Sequence, residues 1–159
     1  MHDTAQINAQ AFVDQYVRTG DRVLEIGPGP DTTIRAMLTH CEYHSTELGA
    51  APYDLPYDAR QFDAVIASSV YEHMPWFWEH FVECQRVLRT GGHMYIQAPA
   101  NGPVHRFPVD CWRFYPDSAD ALASYAQHRG YPCQVVQTHT TQPRADIWQD
   151  HIIITQKTG

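Results

Sequence analysis

Residues 24–31 read LEIGPGPD, an apolar run that ends in a glycine-rich turn. The preceding residues extend the run to RVLEIG (22–27), which predicts a buried β-strand. Gly27 and Gly29 follow directly. Two glycines at the end of a strand usually let a ligand approach the backbone closely. The stretch therefore predicts a strand-to-helix turn that forms one side of a binding site.

The chemistry of this turn disfavours a phosphate ligand. The third glycine of a dinucleotide-binding loop is absent, because Thr32 stands in its place. Pro28 and Pro30 remove two N–H donors, and Asp31 adds negative charge where a phosphate would lie. The turn suits a ligand that is cationic and carries no phosphate. S-adenosylmethionine, with its sulfonium, its ammonium group and its unphosphorylated ribose, fits that description.

Strands and helices alternate along the chain, which predicts an α/β fold with a doubly wound, mostly parallel sheet. Two strands at the end have no helix between them and must pair as an antiparallel hairpin. Such sheets bind ligands beyond the carboxyl ends of their strands. The predicted helices are 4–18, about 31–40, 75–90 (closed by Gly91-Gly92) and 117–129, and the predicted strands are 22–27, 41–48, 62–69, 93–99, 133–139 and 150–157.

Composition limits the class of protein. The chain has 159 residues and a formal net charge of −7, which suits one domain over residues 1–159 and disfavours a nucleic-acid partner. No run approaches the ~18 apolar residues of a membrane span, and the first residues do not resemble a signal peptide. We therefore expect a cytoplasmic protein with no membrane partner.

Histidines and cysteines do not indicate a metal site by their spacing. The four cysteines form no CxxC pair. The histidines that invite a metal interpretation are scattered rather than spaced as i, i+4 pairs. The expectation is that no metal is bound. These histidines are His44, His73, His80, His93, His105 and His151.

Three motifs carry a resemblance to a known family. VLEIGPGP (23–30) resembles the first motif of class I S-adenosylmethionine-dependent methyltransferases. DLPYDARQFDAVIASSVYEHM (54–74) resembles the segment around the fourth strand of these enzymes. VLRTGGHMYIQAP (87–99) resembles their helix–turn–fifth-strand segment. The resemblance is close over residues 20–100, and the terminal hairpin agrees with it.

The resemblance implies a set of cofactor-binding residues. Glu47, at the end of the second strand, would accept hydrogen bonds from the two ribose hydroxyls, and its alternative role is a solvated strand-end carboxylate. The full set for S-adenosylmethionine is Glu25, Gly27, Pro28, Gly29, Glu47, Leu48, Leu55, Ser68 and Ser69.

The chain departs from the family between the segments that resemble the family's second and fourth strands. Only residues 48–62 separate Glu47 from Asp63, which is too short for a helix, a strand and their turns. We expect one helix and the third strand to be missing. Ala51 and Pro52 stand where the family contacts adenine. Packing against Leu48, Tyr53 or Leu55 would have to replace that contact.

A segment after the fifth motif strand, NGPVHRFPVDCWRFYPDS (101–118), concentrates aromatic, basic and acidic residues in a loop, which is typical of a binding surface. Some enzymes of the resembled family carry a similar run that closes over the active site. The alternative is a loop whose Trp112 and Phe114 fill core while Asp110 pairs with Arg113. The predicted catalytic residues are His73, His105 and Asp110, and the predicted substrate-binding residues are Arg106, Trp112, Arg113 and Tyr115.

The stretch PWFWEHF (75–81) carries four aromatic side chains. A helix that is apolar on more than one face is mostly buried in a core. Aromatic side chains in excess of those that the core needs predict, as an alternative, a homodimer contact. The contact would form through the Trp76–Phe81 cluster or the shortened sheet edge.

The sequence thus predicts methyl transfer from S-adenosylmethionine to a small-molecule or glycan-like acceptor. The alternative is a non-catalytic relative that binds the cofactor poorly and acts as a partner subunit. A nicotinamide-dependent oxidoreductase is disfavoured by the two prolines, the missing glycine and the hairpin.

Overall fold

A computed structural model describes residues 3–47, 53–143 and 147–159. In these residues six strands form one sheet with four α-helices around it. The strands are β1 (Arg22–Ile26), β2 (Glu42–Thr46), β3 (Phe62–Ser68), β4 (Leu88–Pro99), β5 (Cys133–Thr140) and β6 (Asp150–Lys157). The helices are α1 (Asp3–Tyr16), α2 (Thr33–Met37), α3 (Phe77–Val87) and α4 (Ser118–His128).

The sheet has the order β2-β1-β3-β4-β6-β5. The pairs β1–β2, β1–β3 and β3–β4 are parallel, whereas β6 runs antiparallel to both β4 and β5. The predicted α/β class and the C-terminal antiparallel hairpin are confirmed. No helix in the described part of the chain is long and apolar enough to cross a membrane.

Helices cover both faces of the sheet. Val23 of β1 packs with α1 and α2 residues, and the next residue, Leu24, packs with α3 and α4 residues on the other face. Successive side chains of a strand point to opposite faces, so a strand covered on both sides reads as a continuous apolar run. This is why RVLEI and FDAVIAS were recognisable as strands.

The start of β4 corrects one sequence-based expectation. The helix was expected to continue through Leu88 and to stop at Gly91-Gly92, but α3 ends at Val87 and β4 begins at Leu88. Pro75 also precedes the helix rather than lying in its first turn. A Cβ at Gly92 would lie 2.9 Å from the carbonyl oxygen of Asp63 on the neighbouring strand. This glycine therefore permits close strand approach and does not terminate a helix.

The shortened region places β2 at the sheet edge. Residues 47 and 53–61, the described residues between β2 and β3, contain neither helix nor strand. This agrees with the predicted loss of a strand and a helix. Helix α2 is also shorter than expected, since it ends at Met37 rather than near His40.

The aromatic stretch 75–81 is divided between core and surface. Phe81 is fully buried, and Phe77 and Trp78 pack partly buried against the core around α3 and α4. Trp76 is 59% exposed. The prediction that most of this stretch lies in the core therefore holds fully for Phe81 and partly for Phe77 and Trp78. Trp76 lies outside the core.

Candidate active site

A cavity of about 860 Å³ opens at the carboxyl ends of β1 and β3. The chain passes from β1 to β2 on one side and to β3 on the other, so this is the switch point where doubly wound sheets bind ligands. The volume lies within the ~300–1,000 Å³ typical of small-molecule sites. The lining residues are Gly27, Gly29, Glu47, Tyr53, Ser69, Val70, His73, Met74, Pro75, His105, Phe107, Pro108 and Val109.

The glycine turn after β1 forms one wall of the cavity. Gly27 has φ 61° and Gly29 has φ 55°, a left-handed conformation that favours glycine. The Gly27 N–H donates to the Thr46 carbonyl at 2.7 Å, which ties the turn to the end of β2. Asp31 Oδ1 accepts the Thr33 N–H at 2.8 Å and so helps to start α2. Pro28, predicted to contact the cofactor, does not line the cavity.

Two carboxylates lie near this turn in different environments. Glu47, immediately after β2, is exposed and lines the cavity. Glu25 is only 5% exposed, and its Oε2 accepts the Tyr43 hydroxyl at 2.7 Å. Burial raises the pKa of Glu25, and burial together with this hydrogen bond raises the pKa of Tyr43 to about 12. Glu25 lies behind the wall and supports it.

The end of β3 forms the second wall. Ser69 lines the cavity with φ 55°, although it is not glycine, and its N–H donates to the Gln97 carbonyl at 2.8 Å. Non-glycine residues in this conformation are strained by about 1 kcal/mol or more and concentrate at functional sites. Ser68 faces away, since its Oγ donates to the buried Gln97 Oε1 at 3.4 Å. Leu55, also predicted at the cofactor, is 5% exposed within the core.

An aromatic pair forms the rim. The Trp76 N–H donates to the Tyr53 hydroxyl at 3.2 Å, and the two ring centroids are 5.5 Å apart. Tyr53 lines the cavity. The other residues predicted to decide adenine binding, Leu48, Ala51 and Pro52, lie outside the described residues.

The opposite side of the cavity is made by the 100–116 loop and by a turn of 3₁₀ helix at Tyr71–His73. His73 Nδ1 lies 2.6 Å from the Val109 carbonyl oxygen, and the His73 and His105 rings meet edge to face with centroids 5.0 Å apart. Glu72, behind them, is 1% exposed, and burial raises its pKa to about 8. The Cys111 N–H donates to the Glu72 carbonyl at 2.7 Å and docks the loop here.

Asp110 holds this loop together. Its two carboxylate oxygens accept from Arg113 Nη1 at 2.6 Å and Nη2 at 2.8 Å, and Oδ2 also accepts the His105 N–H at 2.7 Å. The hydrogen bonds from Arg113 hold the pKa of Asp110 well below its usual range. The Asp110–Arg113 pairing of the alternative interpretation is present, and it occupies the oxygens that a general base would need.

The remaining residues predicted to bind substrate do not line the cavity. Trp112 is 38% exposed, and its Nε1–H donates to the Met74 carbonyl at 3.0 Å. Tyr115 is 63% exposed, and Arg106 is exposed. The lining residues that sequence reasoning did not single out are Met74, Pro75, Phe107, Pro108 and Val109. The only signal for them was their position in the two segments that follow β3 and β4.

Charge at the cavity suits the predicted cofactor. None of the described lining residues is Lys or Arg, whereas Glu47 is acidic. A phosphate-bearing ligand would lack a cationic partner here. S-adenosylmethionine, by contrast, carries a sulfonium cation and free ribose hydroxyls, both of which suit an acidic side chain. The glycine turn leaves room for its methionine end to approach the backbone. The residues present therefore fit S-adenosylmethionine better than a dinucleotide.

Comparison with known proteins supports the fold assignment. A family model described as a methyltransferase domain matches residues 30–96. Among curated proteins, none matches this chain significantly by sequence.

Solved structures with the same fold are distant in sequence. The chain resembles 1,6-didemethyltoxoflavin-N1-methyltransferase of Burkholderia thailandensis, solved with S-adenosylhomocysteine, at TM-score 0.73 and 16% identity over 98% of this chain and 79% of that one. A putative sarcosine dimethylglycine methyltransferase from Galdieria sulphuraria gives TM-score 0.70 and 13% identity, covering 98% and 86%.

A further structural neighbour, the 4+2 cyclase SpnF, gives TM-score 0.65 and 13% identity, covering 96% and 81%. This protein is named for a cyclisation and not for a methyl transfer. The fold alone therefore does not determine the reaction. The sequence match over residues 30–96 is to a methyltransferase domain, and the solved structures share the fold of S-adenosylmethionine-dependent methyltransferases.

Proposed function

We propose that this protein binds S-adenosylmethionine in the cavity at the ends of β1 and β3 and transfers its methyl group to a small-molecule or glycan-like acceptor. The observation that carries the proposal is the convergence of the glycine turn and Glu47 on one cavity. When bound, S-adenosylmethionine would supply a methyl group activated by its sulfonium, whose carbon an acceptor nucleophile attacks in line while S-adenosylhomocysteine leaves. Several structural neighbours are methyltransferases, and two of them were solved with S-adenosylhomocysteine.

The protein would hold the cofactor through three features. Gly27 and Gly29 present a backbone without side chains to the methionine end. The Glu47 carboxylate accepts hydrogen bonds from the two ribose hydroxyls. Tyr53 supplies an aromatic face on which adenine packs, and so replaces the family contact that Ala51 and Pro52 cannot make.

The acceptor would lie against the opposite wall. His73, His105 and Phe107 face the cavity there. Alignment of nucleophile, methyl carbon and sulfur provides much of the rate in such a displacement, so a wall that fixes the acceptor is the main requirement. The Phe107 side chain is 81% exposed, and its ring offers a flat apolar surface for a sugar or another ring. We assign Asp110 the role of a positioning residue that holds His105.

Calorimetric titration with S-adenosylhomocysteine, with NAD as the control ligand, tests the proposal. We expect micromolar binding of the first and none of the second. No heat with S-adenosylhomocysteine at high concentration would refute cofactor binding and favour the non-catalytic relative. Preferential binding of NAD would favour an oxidoreductase.

The variant Glu47→Ala tests the assignment of the ribose contact. Hydrogen bonds to a charged group contribute about 1.5–3 kcal/mol each, so we expect affinity to fall at least tenfold while the circular dichroism spectrum is unchanged. Asp120→Ala is the matched control, because Asp120 is an exposed acid on α4 that does not line the cavity. Equal affinities of the two variants would contradict the assignment.

A further inference from the structure

Three potential ligand side chains converge at the acceptor wall of the cavity. Glu72, His73 and His105 each place one ligand atom so that all three atoms lie within 4.8 Å of one another. Glu72 and His73 belong to the 3₁₀ turn after β3, whereas His105 belongs to the loop after β4. These two strands are adjacent and parallel, so their carboxyl-end segments meet.

Two of the three residues carry buried polar atoms that nothing described in the structure satisfies. Glu72 Oε2 and His105 Nδ1 have no hydrogen-bond partner among the described residues. Glu72 is 1% exposed. The nearest acceptor to His105 Nδ1 is Asp110 Oδ2 at 3.4 Å, and that oxygen already accepts from Arg113 and from the His105 N–H. Leaving such atoms unsatisfied costs about 1–3 kcal/mol each, which a ligand shared by both would offset.

The third residue, His73, is oriented as a metal ligand usually is. A carbonyl oxygen only accepts, so the Nδ1 that lies 2.6 Å from the Val109 oxygen carries the proton in the neutral ring. The lone pair of Nε2 is then free, and this atom lies 3.6 Å from Glu72 Oε1. Metal-binding imidazoles typically donate their other N–H to a carbonyl or carboxylate in this way.

The spacing is close to that of a four-coordinate ion. Two ligand atoms bound at about 2.0–2.1 Å in tetrahedral geometry are about 3.4 Å apart. The Glu72–His73 separation of 3.6 Å is near that distance. The His105 side chain is 33% exposed on a loop, which leaves it room to close the remaining gap.

We propose that Glu72, His73 and His105 form a binding site for a divalent transition-metal ion such as Zn²⁺. One carboxylate and two imidazoles suit borderline ions better than Mg²⁺ or Ca²⁺, which prefer oxygen ligands. Because His73 and His105 line the cavity, the open coordination position faces the space assigned to the acceptor. An acceptor oxygen bound there would lose its proton more readily, and this last consequence rests on the proposed function.

The test is metal binding by the purified chain after chelator treatment and dialysis. ZnCl₂ is titrated by calorimetry, and CoCl₂ is titrated by visible absorption, which reports a low-coordinate site directly. We expect one equivalent of each metal to bind, and Zn²⁺ to raise the melting temperature. We also expect affinity to fall at least tenfold in His73→Ala, in His105→Ala and in Glu72→Gln.

Two control variants separate this site from adventitious binding. His128→Ala removes an exposed imidazole on α4, and Cys111→Ser removes an exposed thiol beside the docked loop. Both should bind Zn²⁺ as the wild type does. His105→Ala is the decisive ligand variant because a partly exposed loop side chain can be removed without disturbing the core, and circular dichroism checks its fold.

Absence of binding in the wild type overturns the proposal, as does binding that His73→Ala and His105→Ala leave undiminished. The metal titration is independent of the cofactor titration. Zn²⁺ binding without S-adenosylhomocysteine binding would refute the proposed function and support the metal site. If S-adenosylhomocysteine binds in the presence of chelator and Zn²⁺ does not bind, the metal site is refuted and the proposed function is supported.

Discussion

Acid destabilisation through His80 is the prediction with the most direct structural basis. His80 lies on α3 and is 0% exposed. Its Nδ1 lies 3.2 Å from the Tyr71 hydroxyl and 3.4 Å from Cys84 Sγ, and its Nε2 has no hydrogen-bond partner among the described residues. Burial lowers the pKa of His80 to about 4, with a weak opposing effect from the Glu83 carboxylate.

The sign and size of the effect follow from proton linkage. In the unfolded chain His80 has its ordinary pKa of 6.5, so between pH 6.5 and about 4 the unfolded state binds a proton that the folded state does not. Stability contributed by the neutral ring is therefore complete above pH 6.5 and is lost as the pH falls towards 4. Each pKa unit is worth about 1.4 kcal/mol, so the loss is about 3 kcal/mol.

Urea unfolding at a series of pH values from 7.5 to 4, in wild type and in His80→Leu, measures this loss. A comparison of variants is needed because Glu72, with its pKa raised to about 8, acts in the opposite direction and destabilises the fold as the pH rises. Leu keeps an apolar side chain in the core and removes the titrating group. We expect the free energy of unfolding of the variant to fall by about 3 kcal/mol less than that of wild type over this range.

An exposed histidine serves as the control, and His128→Leu should retain the wild-type pH dependence. If wild type and His80→Leu lose the same free energy of unfolding between pH 7 and 4, the inference that His80 is held neutral by burial is refuted.

Two further predictions concern the turn and the loop that form the cavity. Gly29→Ala should lower the free energy of unfolding by about 1–2 kcal/mol, although a Cβ there meets no atom within 4 Å, because φ 55° is strained for any L side chain. Unchanged urea midpoints would contradict this. Arg113→Met should cost about 3 kcal/mol or more, because it leaves the Asp110 carboxylate, 2% exposed, without its charged partner. The double variant Asp110→Leu/Arg113→Met should be more stable than Arg113→Met, and the same unfolding assay would contradict the reasoning if it were less stable.

The sequence by itself determined the elements whose signals are local. The apolar runs at β1 and β3 predict strands, because a strand whose two faces are both covered reads as a nearly continuous apolar run. The turn at Gly27 and Gly29 was equally local, since left-handed backbone angles call for glycine. The hairpin followed from the absence of any helical pattern between the last two strands.

Elsewhere, the local signal was the same for two different structures. Gly91-Gly92 is typical of a helix stop, yet in this fold it lies within β4, because Gly92 meets the carbonyl of Asp63 on the neighbouring strand. A contact between strands is invisible in a pattern read along one segment.

Only the tertiary structure decided the composition of the cavity. His73 and His105 were noticed individually, but their scattered positions along the chain argued against any shared role. They meet, with Glu72 between them and the core, because β3 and β4 are parallel neighbours whose following segments fold over the same edge. Likewise, Asp110 carries a carboxylate that sequence alone reads as a candidate base, and the structure places it among the donors of Arg113 and His105. Residue type fixes what a side chain can do, whereas burial and partners, which depend on chain segments distant in sequence, select which of those roles it has.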